Sequence, residues 1–306
     1  MAPPPPDLDA IAAGLREVFP DAEPIAPCRL IDIGFNSVAV ETAGGAIFRI
    51  ARTEGTAERY AMEGRLLPLL AAGLPVAVPH PLWVVASAEP FPLGAMGYLK
   101  LAGVPLSPAM LTPATLPGIA ADVVSVLLAL HRVPLEELAA VGLTNADARR
   151  AHLVSLRDDV LPALRDGLDP AEFRRIKAWW EAFLADRGME RYEPVLCHGD
   201  FWFANILVDD GASRVTAVVD WEHAALGDPA LDFSTLLHLG EEFATATLDA
   251  FRAAGGALDG GFTHRMRRLW ELREFYGVLY AVRFDDETEM RDSIAKLRRG
   301  TILSAR

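Results

Sequence analysis

The sequence predicts an α+β chain of two lobes, a small and mostly antiparallel sheet followed by a larger, mostly helical part. Three observations predict it. Short β-rich runs separated by tight turns crowd the first third of the chain. Longer segments with apolar residues at helical spacing fill most of the remainder. Between those helices lies one island of short apolar runs that carries acids and an amide at fixed spacing.

Taken in order, residues 8–19 place Leu8, Ile11, Ala12, Leu15 and Val18 on one helical face, with Asp7 as the cap. Strand-like runs follow at 28–33, 38–42 and 46–51. Gly34-Phe35-Asn36-Ser37 joins the first two, and Gly44-Gly45 reads as a tight hairpin turn. Residues 56–71 read as a helix ended by Ala72-Gly73-Leu74-Pro75. Further strands at 82–86 and 95–101 complete a first lobe expected over residues 1–101. The pattern changes after Gly103-Val104-Pro105, and a second lobe is expected over 102–306. Its helices fall at 112–131, with Thr112-Pro113 as the start signal, at 148–166 and at 170–187. Residues 229–240, 241–254, 262–284 and 287–303 also read as helical. The proline-rich opening, Met1 to Pro6, reads as a tail.

The island runs from Val195-Leu196-Cys197 through His198-Gly199-Asp200-Phe201-Trp202-Phe203-Ala204-Asn205 to Ile206-Leu207-Val208. A turn at Asp209-Asp210-Gly211 leads to a β-rich run, 215–219, that delivers Asp220 at its end. Three short strands thus present two carboxylates and an amide at one edge. Phosphoryl transfer from a nucleotide needs one carboxylate to orient the attacking hydroxyl and further oxygen ligands to hold magnesium. The protein-kinase catalytic loop uses the same acid-to-Asn spacing. Isolated turn residues would explain neither the spacing nor the apolar runs on both sides.

In the first lobe, Gly34 and the Ser37 hydroxyl could form a phosphate-facing turn. Alternation in Ile47-Phe48-Arg49-Ile50-Ala51 turns Arg49 to the face opposite Phe48 and Ile50, where its cation could reach a phosphate. Glu63 on the following helix is placed to pair with it.

Apolar residues make up 51% of the 306, enough for two cores. Two cysteines, Cys28 and Cys197, offer no disulfide framework. No apolar signal core or spanning segment is visible, so a soluble cytoplasmic protein is expected. Net charge is 29 − 42 = −13, which argues against nucleic acid as a partner and leaves room for a cationic small substrate.

With both constellations placed, the chain resembles the aminoglycoside phosphotransferase family, small-molecule kinases with a bilobal protein-kinase-like fold. The resemblance is most specific in His198 to Leu207 and in Val219-Asp220-Trp221-Glu222-His223-Ala224-Ala225-Leu226-Gly227-Asp228-Pro229-Ala230-Leu231-Asp232-Phe233. It implies that Asp200 is the catalytic acid, that Asn205 and Asp220 hold Mg2+, and that His198 buttresses the loop. Asp228 and Asp232 match structural acids, one expected to cap the next helix and one to bind catalytic-loop backbone. Ser37, Arg49 and Glu63 fall in the nucleotide site. Met96, Gly97, Tyr98 and Leu99 fall at the lobe hinge, where backbone groups would bind the purine of ATP or GTP.

Three departures from protein kinases stand out. Trp221-Glu222 replaces the Phe-Gly after the metal-binding acid, no G-x-G-x-x-G is present, and Arg49 stands in place of Lys. Gly97 to Leu101 and Arg273-Glu274-Phe275-Tyr276-Gly277 resemble the 2''-phosphotransferase branch. Glu241, Glu242, Trp270 and Tyr276, with the acids near Asp285-Asp286, are then expected to line a site for a polycationic aminoglycoside. The resemblance implies a monomeric kinase acting on the hydroxyl of a small molecule, foremost an aminoglycoside. Alternatives are a macrolide, a hygromycin-like compound, choline, homoserine or a sugar as acceptor, or a catalytically silent nucleotide-binding protein.

Overall fold

Short β-rich runs in the first third of the chain build a five-stranded antiparallel sheet. The computed structural model describes residues 6–143 and 148–304, so the start of the proline-rich tail lies outside the described residues. Helix α1 (Leu8–Val18) opens under the Asp7 carboxylate, which accepts the N–H groups of Asp9 and Ala10. Strands β1 (Arg29–Ile33), β2 (Ser37–Glu41) and β3 (Ala46–Ala51) form a meander. Helix α2 (Thr56–Gly73) follows, then β4 (Trp83–Val85) and β5 (Ala95–Leu99), giving the order β1-β2-β3-β5-β4. Phe48 on β3 and Leu15 on α1 share one core cluster, while Ile47, Tyr60, Met96 and Tyr98 share another on the α2 side.

Glycine at position 97 is a packing requirement. A Cβ there would lie 2.3 Å from the Phe48 ring, which itself stacks on Trp83 at 5.4 Å. Gly97→Ala is therefore expected to cost about 1–3 kcal/mol through overpacking. A urea melt superimposable on the wild type would remove that explanation.

After β6 (Val104–Pro105) the helices take over: α3 (Leu116–His131), α4 (Leu135–Ala140), α5 (Ala148–Gly167) and α6 (Pro170–Ala185). Strands β7 (Val195–Cys197), β8 (Ile206–Val208), β9 (Val215–Val218) and β10 (Ala225–Gly227) carry the island of acids. β6, β8 and β9 form one small sheet, and β7 pairs with β10. The chain closes with α7 (Ala230–Thr235), α8 (Glu241–Ala253), α9 (Phe262–Glu271), α10 (Arg273–Phe284), α11 (Glu287–Arg299) and α12 (Thr301–Ser304). Leu127, Trp180, Trp221, Phe233, Phe251 and Phe275 lie in the large core that α3, α6 and the later helices bury.

Boundaries depart from expectation where capping and tight turns intervene. The helix expected from 112 starts at Leu116, because Thr112 and Thr115 bond each other first: the Thr112 N–H donates to Thr115 Oγ1 at 2.9 Å. The segment 262–284 divides into α9 and α10 around Leu272, where i to i+3 bonds from Leu272 to Leu269 and from Phe275 to Leu272 tighten the turn. α4, β6 and β10 are absent from the sequence reading, being too short to show a period.

His131 ends α3 with a buried Nε2 that has no hydrogen-bond partner, edge-on to Phe251 at 5.7 Å. Burial lowers its pKa from 6.5 to about 4. Below pH 6.5 the unfolded chain takes up a proton that the folded chain refuses, so stability drains as pH falls toward 4. His131→Leu lacks this loss. Its stability advantage over the wild type is expected to widen by roughly 2–3 kcal/mol between neutral pH and pH 4. Denaturation at several pH values checks it, and a pH-independent difference would show that His131 is not held neutral. Among the described residues, no helix is long and apolar enough to cross a membrane.

Candidate active site

The loop between β7 and β8 is held by its neighbours before it does any chemistry. Gly199 sits at φ +84°, and a Cβ there would lie 2.2 Å from the His223 carbonyl oxygen. That position requires glycine. Asp232 on α7 accepts the N–H of His198 and the N–H of Gly199, each at 2.9 Å. His198 is fully buried against Trp221, with ring centroids 4.5 Å apart. Its Nε2–H donates to the Val219 carbonyl at 2.9 Å, which leaves Nδ1 to accept the Asp200 N–H at 3.3 Å. Burial lowers its pKa to about 3, so it stays neutral and serves as a fixed strut. Asp228 accepts the Ala230 N–H at the start of α7 and pairs with the buried Arg265 at 2.9 Å.

Asp200, Asn205 and Asp220 converge. The Asn205 Nδ2 donates to the Asp200 backbone oxygen at 2.9 Å and to its Oδ2 at 3.1 Å. The Asn205 amide oxygen remains for another partner. Val219 is pinned by its N–H to Asn205 and by its carbonyl to His198, and Asp220 follows in the left-handed region at φ 64°. Such strain in a non-glycine residue concentrates at functional sites. Burial, then the charge of Asp220, raises the Asp200 pKa to about 6.

Arg49, only 5% exposed, faces three carboxylates. Its Nη1 donates to both oxygens of Glu63 at 3.0 Å. Its Nη2 lies 3.1 Å from Asp220 Oδ1 and contacts Glu222. Burial works against the guanidinium charge, and Glu63, Asp220 and Glu222 outweigh it. Glu63 is pushed up to about 7 by burial against the pull of Arg49. One guanidinium thus answers three acids, with Asp200 close by.

The donor set fits magnesium. Asp220 Oδ1 is buried with the Arg49 ion pair beside it but no aligned hydrogen bond, the Asn205 amide oxygen is hard, and the surrounding negative charge exceeds what Arg49 neutralises. Among the described residues no group of three or more His, Cys, Asp or Glu forms a metal cage. Magnesium in nucleotide sites takes one or two protein oxygens and completes its shell with phosphates and water.

The sequence model described as the phosphotransferase enzyme family matches residues 28–270. The chain belongs to that family. A curated relative, the viomycin phosphotransferase of Streptomyces vinaceus, is 27% identical over 254 residues, covering 81% of this chain and 85% of that protein. The GDP and kanamycin complex of APH(2'')-IIIa superposes with a TM-score of 0.82 at 21% identity, over 94% of this chain and 97% of that one. A macrolide 2'-phosphotransferase from Brachybacterium faecium superposes with a TM-score of 0.65 at 26% identity, over 96% of this chain and 99% of that one. The fold of this phosphotransferase is therefore kinase-like, with an antiparallel-sheet lobe and a mostly helical lobe.

At the hinge, the structure narrows the expectation. The Lys100 N–H donates to the Gly45 carbonyl, which sets Tyr98 and Met96 in hydrogen-bonding register with β3. The Gly97 carbonyl accepts the Leu82 N–H. Met96, Gly97 and Tyr98 thus spend backbone groups on the sheet. Leu99 alone turns its backbone away from β3 beyond the end of β4, and it is exposed.

In the Gly34 turn, the Gly34 N–H and carbonyl are both paired. The Gly34 N–H donates to Ser37 O, and the Gly34 carbonyl accepts from Arg52 at 2.6 Å. Ser37 opens β2 opposite Ala51. Phe35 reaches across to α10, edge-on to Phe284 at 5.6 Å. Asn36 donates to Glu222 at 2.8 Å.

On the acceptor side, the expected residues already have partners within the protein or lie at the surface. Glu241 opens α8 and pairs with Arg267, Glu242 is exposed beside it, and Trp270 packs on His238 at 4.6 Å. Tyr276 stacks on His152 and bonds its Nε2 at 3.1 Å. Asp286 caps α11 through Thr288 and Glu289.

Glu222, Asn36 and His223 escaped the sequence reading. Glu222 stands inside the quoted motif, but its tie to Asn36 spans 186 residues and has no local signal. His223 lies 3.3 Å from Glu222. Burial opposes its charge, yet Glu222 and the carboxylates of Asp200 and Asp220 raise its pKa.

Proposed function

We propose that this phosphotransferase transfers the γ-phosphate of ATP or GTP, with Mg2+, to a hydroxyl of a small antibiotic-like molecule. The observation that carries the reading is the convergence of Asp200, Asn205 and Asp220 in front of the buried Arg49. Asp200 orients the acceptor hydroxyl and takes its proton as the new P–O bond forms. Asn205, through its free amide oxygen, and Asp220 hold the metal, which when bound neutralises charge on the phosphates. Arg49, braced by Glu63, steadies the phosphates, with Ser37 at the phosphate turn. Leu99 offers its backbone to the purine. His198, Asp228 and Asp232 keep the loop rigid, so most of the rate comes from positioning and electrostatics.

In this reading residues 1–101 form the nucleotide lobe and 102–306 the catalytic and acceptor lobe of a cytoplasmic monomer. The viomycin relative and the macrolide and kanamycin-bound neighbours support an antibiotic as acceptor. A coupled nucleoside-diphosphate release assay tests it, with Mg2+, each nucleotide and a panel of viomycin, macrolides, aminoglycosides and small metabolites. Acceptor-dependent release that Asp200→Asn abolishes is the expected result. Metal-dependent nucleotide binding with no acceptor-dependent release anywhere on the panel would instead favour a silent binder.

A further inference from the structure

The turn Gly34-Phe35-Asn36-Ser37 is tied to both lobes. On its own side Arg52 holds it twice. The Arg52 N–H donates to the Asn36 carbonyl at 2.8 Å, and its Nη1 donates to the Gly34 carbonyl at 2.6 Å. The Thr53 hydroxyl donates to Asn36 Oδ1 at 3.1 Å, which leaves Asn36 Nδ2 to reach across the cleft to Glu222 at 2.8 Å. Strand β2 begins at Ser37, so the turn has little slack.

Phe35 makes a second tie, to α10. Its ring is edge-on to Phe284 at 5.6 Å and lies 6.3 Å from Tyr280. Tyr280 precedes Phe284 by one helical turn and packs on it at 4.7 Å, fixing that ring from behind. Two guanidiniums cover the pair. Arg283 of α10 lies 4.7 Å over the Phe35 ring, and Arg52 of the first lobe lies 4.2 Å over the Phe284 ring. Each lobe thus gives one ring and one cation, and each cation sits on the ring of the other lobe. None of the three rings joins a hydrophobic core cluster, and all three are half-buried. Such a contact can open without unpacking either lobe.

We infer that this reciprocal clasp between Phe35 and α10 gates the phosphate end of the cleft, and that its opening sets how fast nucleotide enters and leaves. This rests on the reading of the cleft as a nucleotide site. Asn36, next to Phe35, bonds Glu222, which also contacts Arg49, and Arg49 lies 3.1 Å from Asp220. Phosphates steadied by Arg49 therefore lie beneath the turn. They cannot pass it while Phe35 holds α10 and Asn36 holds Glu222. Every group in the clasp belongs to the protein, so its contacts do not need nucleotide to form, and it weighs on entry and exit alike. A side chain that only touched bound nucleotide would slow departure and leave arrival unchanged.

Stopped-flow fluorescence of the full chain with methylanthraniloyl-GDP and Mg2+ tests the inference. Phe35→Ala is expected to speed association and dissociation together by about tenfold, while Kd changes by less than about threefold. Phe284→Ala should do the same, and the double variant should be within about twofold of either single one, because both remove one contact. Phe35→Tyr keeps the ring and should restore rates close to those of the wild type. Faster dissociation alone, or rates indifferent to both alanine variants, overturns the gate. Amide hydrogen exchange without nucleotide reads the clasp separately. Phe35→Ala should raise exchange by about tenfold in the last turn of α10 as well as in the turn around residue 35. An α10 indifferent to Phe35→Ala overturns the clasp. A GDP probe that fails to bind the wild type sinks the nucleotide reading and the gate with it, while the clasp itself still stands or falls on exchange.

Discussion

Asp200→Asn is expected to lower turnover by about a thousandfold or more while nucleotide affinity changes by less than about threefold. The substitution keeps the shape of the side chain and the loop held by His198, Asp232 and Asn205. What it removes is the carboxylate basicity that the proposed proton transfer needs. Asn205 still has the Asp200 backbone oxygen as an acceptor, so the metal side of the site should persist. Single-turnover kinetics beside nucleotide titration separate the two effects. Turnover within tenfold of the wild type would mean that Asp200 is not the base. A matching collapse of nucleotide affinity would mean that it binds rather than reacts.

Arg49→Ala is expected to destabilise the protein by about 3–5 kcal/mol, because it strands buried carboxylates without their cation. Glu63 is 1% exposed and relies on both of its bonds to Arg49, and Asp220 and Glu222 share the other end of the same guanidinium. A fall in Tm of roughly 8 °C or more would follow. Magnesium–nucleotide should no longer raise the Tm, since the phosphate-side cation is gone. Arg49→Lys should fall between, because it keeps a charge but cannot fork between Glu63 and the acids at the end of β9. Replacing both Arg49 and Glu63 by Met removes a pair rather than half of one, and is expected to recover at least half of the loss. A single Arg49→Ala variant as stable as the wild type would show that these carboxylates do not depend on it.

Both predictions rest on residues that the sequence could nominate, for a physical reason. His198, Asp200, Asn205 and Asp220 lie within one stretch of the chain, where a fixed spacing between short strands forces them to the same edge. The partnership of Arg49 with Glu63 was legible because strand alternation chose a face for Arg49 and the next helix returned over that face. The hinge was less legible. The family resemblance placed Met96, Gly97, Tyr98 and Leu99 there, but only the pairing of β5 with β3 and β4 shows whose backbone is already used.

By itself, then, the sequence determined the two-lobe α+β architecture, the elements that build it and the acids and amide of the catalytic edge. Periodicity and short-range spacing are local properties, and both survive without knowledge of the rest of the chain. Tertiary structure alone decided how charge is distributed around that edge. Asn36 reaches Glu222, Phe35 reaches α10, Glu241 meets Arg267, and Arg273 covers Trp270. An exposed acid and a neutralised one read identically in a sequence. Which arginine arrives beside each acid is set by the packing of distant helices.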